Sequence, residues 1–398
     1  MLAGEANNRT INGNLALPFH TYLGMMGRWI NASPLRWIAS ALSFAAACSG
    51  IEVDPYLRHP IRVFLMVGQS NMVGHGAIDE TDRESGEQKN ATLTWLVDNA
   101  PDQYGKLKSG TDRHWTSRDD IMIACNHQGL YDLTPEMRTY GNLSAGLCGG
   151  DAGQLQIGPE LGFGWAVGDA LNHARDGGDI AVLLKVAWGG RSLAVDFRPP
   201  SSHGFTGLYY TSVINHVKAA LANLTAYFPS TSGRPIKLSG MAWHQGWNDG
   251  CDDRMTDEYE YNLVNLIRDI RGDDGLSVPN MPFVVGISGM SGYEAGRRAG
   301  IVEAQMAVSN FTKYPEFEGD VASVDTRPFL REPAPHSPSN LGYHWNNNGE
   351  SYWLVGQGMG AAMVELVLRR EAEDGIRRGQ ASHWRTAEPS DAYGSVGR

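Results

Sequence analysis

One serine in this chain follows an apolar run and sits among small polar residues: Arg62-Val63-Phe64-Leu65-Met66-Val67-Gly68-Gln69-Ser70-Asn71-Met72. The first half has strand length and apolar, partly β-branched composition, and Gly68 permits a sharp turn after it. In open α/β sheets ligands collect outside the carboxyl ends of the strands, so a serine delivered there is placed as a nucleophile. The same residues also read as a buried strand followed by a turn whose serine caps a short helix. What separates the two readings is whether the chain supplies a base, an oxyanion hole and a pocket.

Two later apolar runs also end in polar, glycine-flanked residues. One closes on Trp188-Gly189-Gly190-Arg191-Ser192-Leu193, the other on His244-Gln245-Gly246-Trp247-Asn248-Asp249. Acyl transfer needs a nucleophile, a base and donors aimed at the developing oxyanion. The backbone N–H groups of Ser70 and Gly190 and the side-chain amide of Gln245 would make such a hole. Gly190 suits it because a residue without Cβ lets substrate approach its N–H. Losing one donor of this kind costs about 3 to 4 kcal/mol of transition-state stabilisation. Read singly, the glycine pair is a tight turn and Gln245 a solvated loop residue; the convergence of three strand ends is the stronger signal.

Of the twelve histidines, His344 in Gly342-Tyr343-His344-Trp345-Asn346-Asn347-Asn348 is best placed as the base, on a loop just before the last helix. His244 is a rival at a strand end, but its side chain should diverge from that of its neighbour Gln245. His336, in a proline-rich loop, is a second rival. Asn71, Glu160 and Arg191 are candidate substrate-binding residues. Glu160, second in a helix opened by Pro159, serves equally as a dipole partner, and Arg191 as a structural ion pair.

The elements that would position these groups alternate along the chain. Strands are predicted at 62–67, 179–187, 236–243, 282–288 and 321–325. Helices are predicted from Pro159, through Val213 to Leu221, through Tyr259 to Ile270, at about 294–310, and at about 350–370. Continuous apolar strands alternating with helices describe a parallel sheet covered on both faces by right-handed crossovers. The expected fold is therefore one doubly wound α/β domain over 51–370 with a five-stranded parallel sheet. Residues 74–156 show little periodicity and form a long insertion after the first strand. The Arg- and Gly-rich stretch 371–398 reads as a mobile tail.

Bulk properties narrow the function classes. The 398 residues are 42% hydrophobic and 19% charged, which describes a globular protein. A net charge of −11 argues against nucleic acid or an anionic membrane as partner. Forty-eight glycines and eleven tryptophans suit a loop-built pocket that stacks on sugar rings.

The first fifty residues read as a targeting segment. An apolar, small-residue run from Ile38 to Cys48 follows Arg28 and Arg36, and it is too short to span a bilayer as a helix. A start at Met25 or Met26 would give that run the usual depth. Six sequons, at Asn8, Asn31, Asn90, Asn142, Asn223 and Asn310, fit a secreted glycoprotein. Of the remaining cysteines, Cys125 and Cys148 can pair, leaving Cys251 free or intermolecular.

Taken together, Gly68-Gln69-Ser70-Asn71-Met72, Gly158-Pro159-Glu160, Gly189-Gly190-Arg191-Ser192, Trp243-His244-Gln245-Gly246-Trp247-Asn248-Asp249 and the late His344 resemble the SGNH/GDSL hydrolase superfamily. Within it they resemble the sialate O-acetylesterase-like carbohydrate esterases, a group that includes acetylxylan esterases. The likeness runs over about residues 62–363. It implies a flavodoxin-like three-layer sandwich, an acetyl ester on a sugar as substrate, and no metal or other cofactor. It also implies Ser70 as nucleophile, Gly190 and Gln245 as oxyanion donors and His344 as base. Many members carry an acid three residues before the histidine, where this chain has Leu341. Asp249 is the first candidate to replace it, Asp325 the second and Glu350 the third; a backbone carbonyl is the remaining option. Two other readings stay open: a carbohydrate-binding pseudoenzyme on the same scaffold, and an esterase for non-sugar esters.

Overall fold

The computed structural model describes residues 60–385 apart from 111, 127–130, 151–154, 175–179, 273 and 295. The expected targeting segment 1–50 and residues 386–398 lie outside the described residues. Among those described, no helix is long and apolar enough to cross a membrane.

The first strand, β1 (Ile61–Gly68), is buried at every position. Its side chains alternate between two cores. Ile61, Val63, Leu65 and Val67 enter one, while Phe64 and Met66 enter the other. A strand apolar on both faces belongs inside a sheet covered on both sides. After β1 come the short helix α1 (Ser70–Val73) and the two-residue strand β2 (Gly76–Ala77). The strands β3 (Arg118–Cys125), β4 (Thr139–Leu143) and β5 (Gln156–Ile157) follow. The regular series then begins with helix α2 (Pro159–Ala174), strand β6 (Ile180–Ala187) and helix α3 (Leu208–Ala222). It continues with β7 (Ile236–His244), α4 (Tyr259–Arg271) and β8 (Phe283–Gly286). Helix α5 (Ala299–Ala307), β9 (Val321–Val324) and α6 (Gly349–Arg385) complete it.

The central sheet has seven strands in the order β9-β8-β7-β1-β6-β3-β4, parallel except for the last pair. All five strands read from the sequence are present. The expectation of five in total is corrected: β3 and β4, from the insertion, extend the sheet beyond β6. Their signal was hidden because the apolar run Ile121–Cys125 is short and follows Arg118-Asp119-Asp120 in a polar region. Helices α3, α4 and α5 pack on one face of the sheet, and α2 and α6 on the other. The last helix runs fifteen residues beyond Arg370, to Arg385. Cys125, at the end of β3, is bonded to Cys148, and Cys251 is free and exposed.

Register fixes where the chemistry-bearing loops leave the sheet. Gly68 is level with Ala187 of β6 and with His244 of β7. Three adjacent parallel strands therefore end on one line, and the loops at 69–74, 188–193 and 245–249 leave the same edge.

Candidate active site

The turn after β1 is tight because its neighbour is close. A Cβ on Gly68 would sit 2.2 Å from the carbonyl oxygen of His244, so no other residue fits there without displacing β7. Gln69 is the N-cap residue of α1, and Ser70 is its first residue, 8% exposed. At a helix start the first N–H groups have no intrahelical acceptor. Among the described residues, the backbone N–H groups of Ser70 and Asn71 and the Ser70 hydroxyl have no hydrogen-bond partner. The side chain of Gln69 turns the other way: its Oε1 accepts from the N–H of Gly246 at 3.1 Å and of Asn248 at 3.2 Å. Gln69 thus ties the Ser70 turn to the loop after β7, a role the sequence reading missed.

That loop holds Gln245 and Asp249, and both differ from expectation. A Gln amide has two N–H donors. Gln245 spends one on the Arg191 carbonyl at 2.9 Å and the other on Asp249 Oδ2 at 2.5 Å. Its Oε1 accepts from the Tyr259 hydroxyl at 3.0 Å. The Gln245 amide is therefore not offered to an oxyanion; it braces the loop that carries Gly190. Asp249, fully buried, also accepts from the backbone N–H groups of Leu193 and Ala194, each at 2.9 Å. Burial pushes its carboxyl up to about 6 despite those donors. Gly190 sits just before this braced segment at φ +66°, with open space where a Cβ would lie. Its N–H has no acceptor among the described residues.

His344 lies on the segment Gly342–Asn347, three of whose residues (Trp345, Asn346 and Asn347) have left-handed φ. Asparagines hold this uncommon backbone. Asn346 Nδ2 donates to the Arg331 carbonyl at 3.0 Å, and Asn347 Nδ2 to the His75 carbonyl at 2.7 Å. The segment is fastened beside the Ser70 turn by Asn71, whose Nδ2 donates to the Tyr343 carbonyl at 2.9 Å. Asn71 Oδ1 accepts from the Tyr352 hydroxyl of α6 at 2.8 Å. Both ends of the Asn71 amide are thus used within the protein, and its expected contact with substrate gives way to a structural tie.

The His344 imidazole stacks on that of His75, with ring centroids 3.9 Å apart and planes 16° apart. Burial, and secondarily His75, push its pKa down to about 3, so it is neutral and able to take a proton at neutral pH. No hydrogen bond joins His344 to Ser70 in this structure. Catalytic hydrogen bonds are often long in unliganded sites and tighten when substrate binds.

None of the three candidate acids reaches His344. Asp249 is committed as described. Asp325 makes a two-point pair with Arg327 at 2.8 and 2.7 Å. Glu350 accepts from the Tyr104 hydroxyl at 2.7 Å and from Arg331 Nε at 2.6 Å. The expectation that Asp249 orients the base is thereby corrected. The rival His244 is buried, shares a hydrogen bond with the Gly286 carbonyl at 2.8 Å, and is pushed down to about 4 by burial. His336 is exposed.

Glu160 is also turned inward. It pairs with the buried Lys185 at 2.6 Å and accepts from the Gly158 N–H at 2.8 Å. Lys185 in turn donates to the carbonyls of Val73, at the end of α1, and Cys148, both at 2.7 Å. The expected substrate role of Glu160 gives way to this ion pair under the Ser70 turn. The Arg191 guanidinium lies 4.4 Å from the Tyr209 ring centre, 5.0 Å from that of Tyr131, and 3.3 Å from Asp196. Among the described residues, no group of three His, Cys, Asp or Glu side chains could hold a metal ion.

A hydroxyl at a helix start, unpaired amides on two adjacent strand-end loops and a neutral imidazole on a third loop describe a hydrolase-like site on a mixed α/β scaffold. The chain belongs to the carbohydrate esterase, sialic acid-specific acetylesterase family, whose model matches residues 60–314. Among solved structures, an Arabidopsis thaliana protein is similar at 17% identity over 76% of this chain and 98% of that one, with a TM-score of 0.48. A carbohydrate acetylesterase from Xanthomonas citri is similar at 13% identity over 75% and 56%, with a TM-score of 0.40. NanS is similar at 15% over 82% and 99%, with a TM-score of 0.36. No curated protein matches the chain.

Proposed function

We propose that this protein is a secreted serine esterase that removes O-acetyl groups from carbohydrate through an acyl-enzyme. The family match supports sugar deacetylation. The observation that carries the residue assignment is the bond from Asn71 to Tyr343, which sets the loop of His344 beside the turn of Ser70. Ser70 Oγ attacks the acetyl carbonyl while His344 takes its proton. The carbonyl oxygen, now negative, is received by the N–H groups of Ser70 and Gly190. His344 then gives that proton to the departing sugar oxygen; water, deprotonated by His344, attacks the acetyl carbonyl, and acetate leaves as the proton returns to Ser70 Oγ. The sugar is received beside Trp247 and Tyr343, whose ring centres lie 6.2 Å apart. Secretion accords with the apolar N-terminal run and with the Cys125–Cys148 disulfide.

The test is Ser70→Ala assayed on 4-nitrophenyl acetate and on O-acetylated sugars. Loss of at least about a thousandfold in kcat with the fold intact is expected. Unchanged turnover would exclude Ser70 as nucleophile. Glycan binding with no turnover in the wild-type protein would point to the pseudoenzyme instead.

A further inference from the structure

If His344 is the base, something must hold its ring, and no carboxylate does. In a serine–histidine–acid triad the acid fixes the orientation and tautomer of the imidazole and stabilises the imidazolium. Only the first of these tasks is geometric, and it can be met by packing.

We propose that His75 is the positioning residue for His344, its stacked ring fixing the plane of the base that a carboxylate would otherwise orient. This inference rests on the esterase reading given above. The rings lie face to face at 3.9 Å and 16°, and the Tyr343 ring lies edge-on to that of His344 at 4.5 Å and 60°. His75 is itself firmly placed. Its Nδ1 lies 3.3 Å from Gln156 Oε1, and β2, which begins at the next residue, pairs with Gln156 and Ile157 of β5. Gly74, at φ +92°, turns the chain into β2 where a Cβ would sit 2.1 Å from Gly158 Cα, so the approach to His75 has one tight path. Asn347, three residues past the base, donates back to the His75 carbonyl at 2.7 Å. The loop that carries the base therefore grips the residue on which the base is stacked.

Stacking supplies orientation without charge. The titratable side chains in contact with the His344 ring are His75 and Tyr343; Asp249, Asp325 and Glu350 face other partners. Two imidazoles face to face cannot both be protonated cheaply. Burial and the His75 ring together keep the base neutral well into acid, in agreement with its lowered pKa.

The experiment compares His75→Ala and His75→Phe in the full chain, with 4-nitrophenyl acetate as substrate and an NMR titration of the His344 ring. In His75→Ala, kcat should fall by about 10- to 100-fold with KM within about twofold, because misplacement of a reacting group costs rate rather than binding. The His344 titration and the acid limb of the rate profile should both move upward by about one pH unit or more as water reaches the ring. His75→Phe keeps an aromatic face and should retain kcat within about threefold. A folded His75→Ala with wild-type kcat and titration would overturn the inference, as would a His75→Phe as slow as the alanine variant. If the wild-type protein hydrolyses no ester, the esterase reading fails, and the titration still decides the stack: an unmoved midpoint in His75→Ala rejects it.

Discussion

The side-chain amide of Asn71 and the backbone carbonyl of Tyr343, 2.9 Å apart, join the residue after Ser70 to the residue before His344. Segments that are distant in the chain are thereby joined by a partly buried polar contact, and Tyr352 locks the other end of the same amide. Removing the amide orphans a carbonyl and a hydroxyl, which costs about 1–3 kcal/mol for each buried group left unpaired. Asn71→Ala should therefore lower kcat by about 10- to 100-fold through misplacement of His344 and reduce stability by a few kcal/mol. Steady-state kinetics and urea denaturation read the two effects separately. A variant that loses stability yet keeps kcat would show that the bond does not position the base.

Asp249 gathers three donors, from Gln245, Leu193 and Ala194, and so sets the loop that presents Gly190. Asp249→Asn replaces one accepting oxygen by an N–H group and forces donor against donor. The expected result is a loss of about 1–3 kcal/mol in stability with kcat reduced more than KM is raised. The rate–pH profile should keep its acid limb, since Asp249 does not touch His344. An acid limb displaced in Asp249→Asn would restore it as the orienting acid.

What was legible in the sequence was the line of strand ends. Apolar runs closing on Gln69-Ser70, Gly189-Gly190 and His244-Gln245 are local signals, and parallel register alone puts them at one edge. The missing acid was legible too, as Leu341. The direction of side chains was not. Gln245 and Asp249 have the right chemistry for an oxyanion donor and an orienting acid, yet they satisfy each other because burial makes an unpaired polar group expensive. Glu160 follows the same rule with Lys185. His75 escaped notice because a ring stack with His344 exists only once the insertion and the last loop have folded together. The two extra strands escaped because Ile121–Cys125 is a short run behind Arg118-Asp119-Asp120, and Thr139–Leu143 buries only Leu143.

The histidines set how the fold responds to acid. His344 and His244 have folded pKa values near 3 and 4, below the ordinary value of 6.5, so between those limits the unfolded chain binds protons that the native state refuses. Their contribution is lost as pH falls below about 6.5. Asp249 acts oppositely: held near 6, it keeps a proton that the unfolded chain has released above about 4. Burial also lowers His216 and raises Asp320, so three histidines against two carboxyls leave a net uptake on unfolding. Stability should fall by about 1 kcal/mol per pH unit from pH 6 to pH 5. Urea midpoints at the two pH values measure it, and a flat response would mean that these histidines titrate normally. Over the same range kcat/KM should change less than about twofold, where an ordinary histidine base would lose most of its activity.

The Lys185–Glu160 pair, 2.6 Å apart under the nucleophile turn, offers the last prediction. Buried ion pairs can often be exchanged for apolar residues at little cost, because desolvation offsets their attraction. This one should not follow that rule. Lys185 also donates to the carbonyls of Val73 and Cys148, so removing it orphans the Cys148 carbonyl and the carboxylate and leaves Val73 only a 3.3 Å bond from the Gly150 N–H. Glu160→Gln leaves a buried ammonium without its counter-charge and should cost about 3–5 kcal/mol. Restoring neutrality with the double replacement Glu160→Met, Lys185→Met should recover little, since the Cys148 carbonyl and the Gly158 N–H remain unpaired at about 1–3 kcal/mol each. Because Val73 ends the helix that begins at Ser70, both variants should also lose kcat. Full recovery of stability and rate in the double variant would reduce Lys185 to a counter-ion and remove it from the support of the turn.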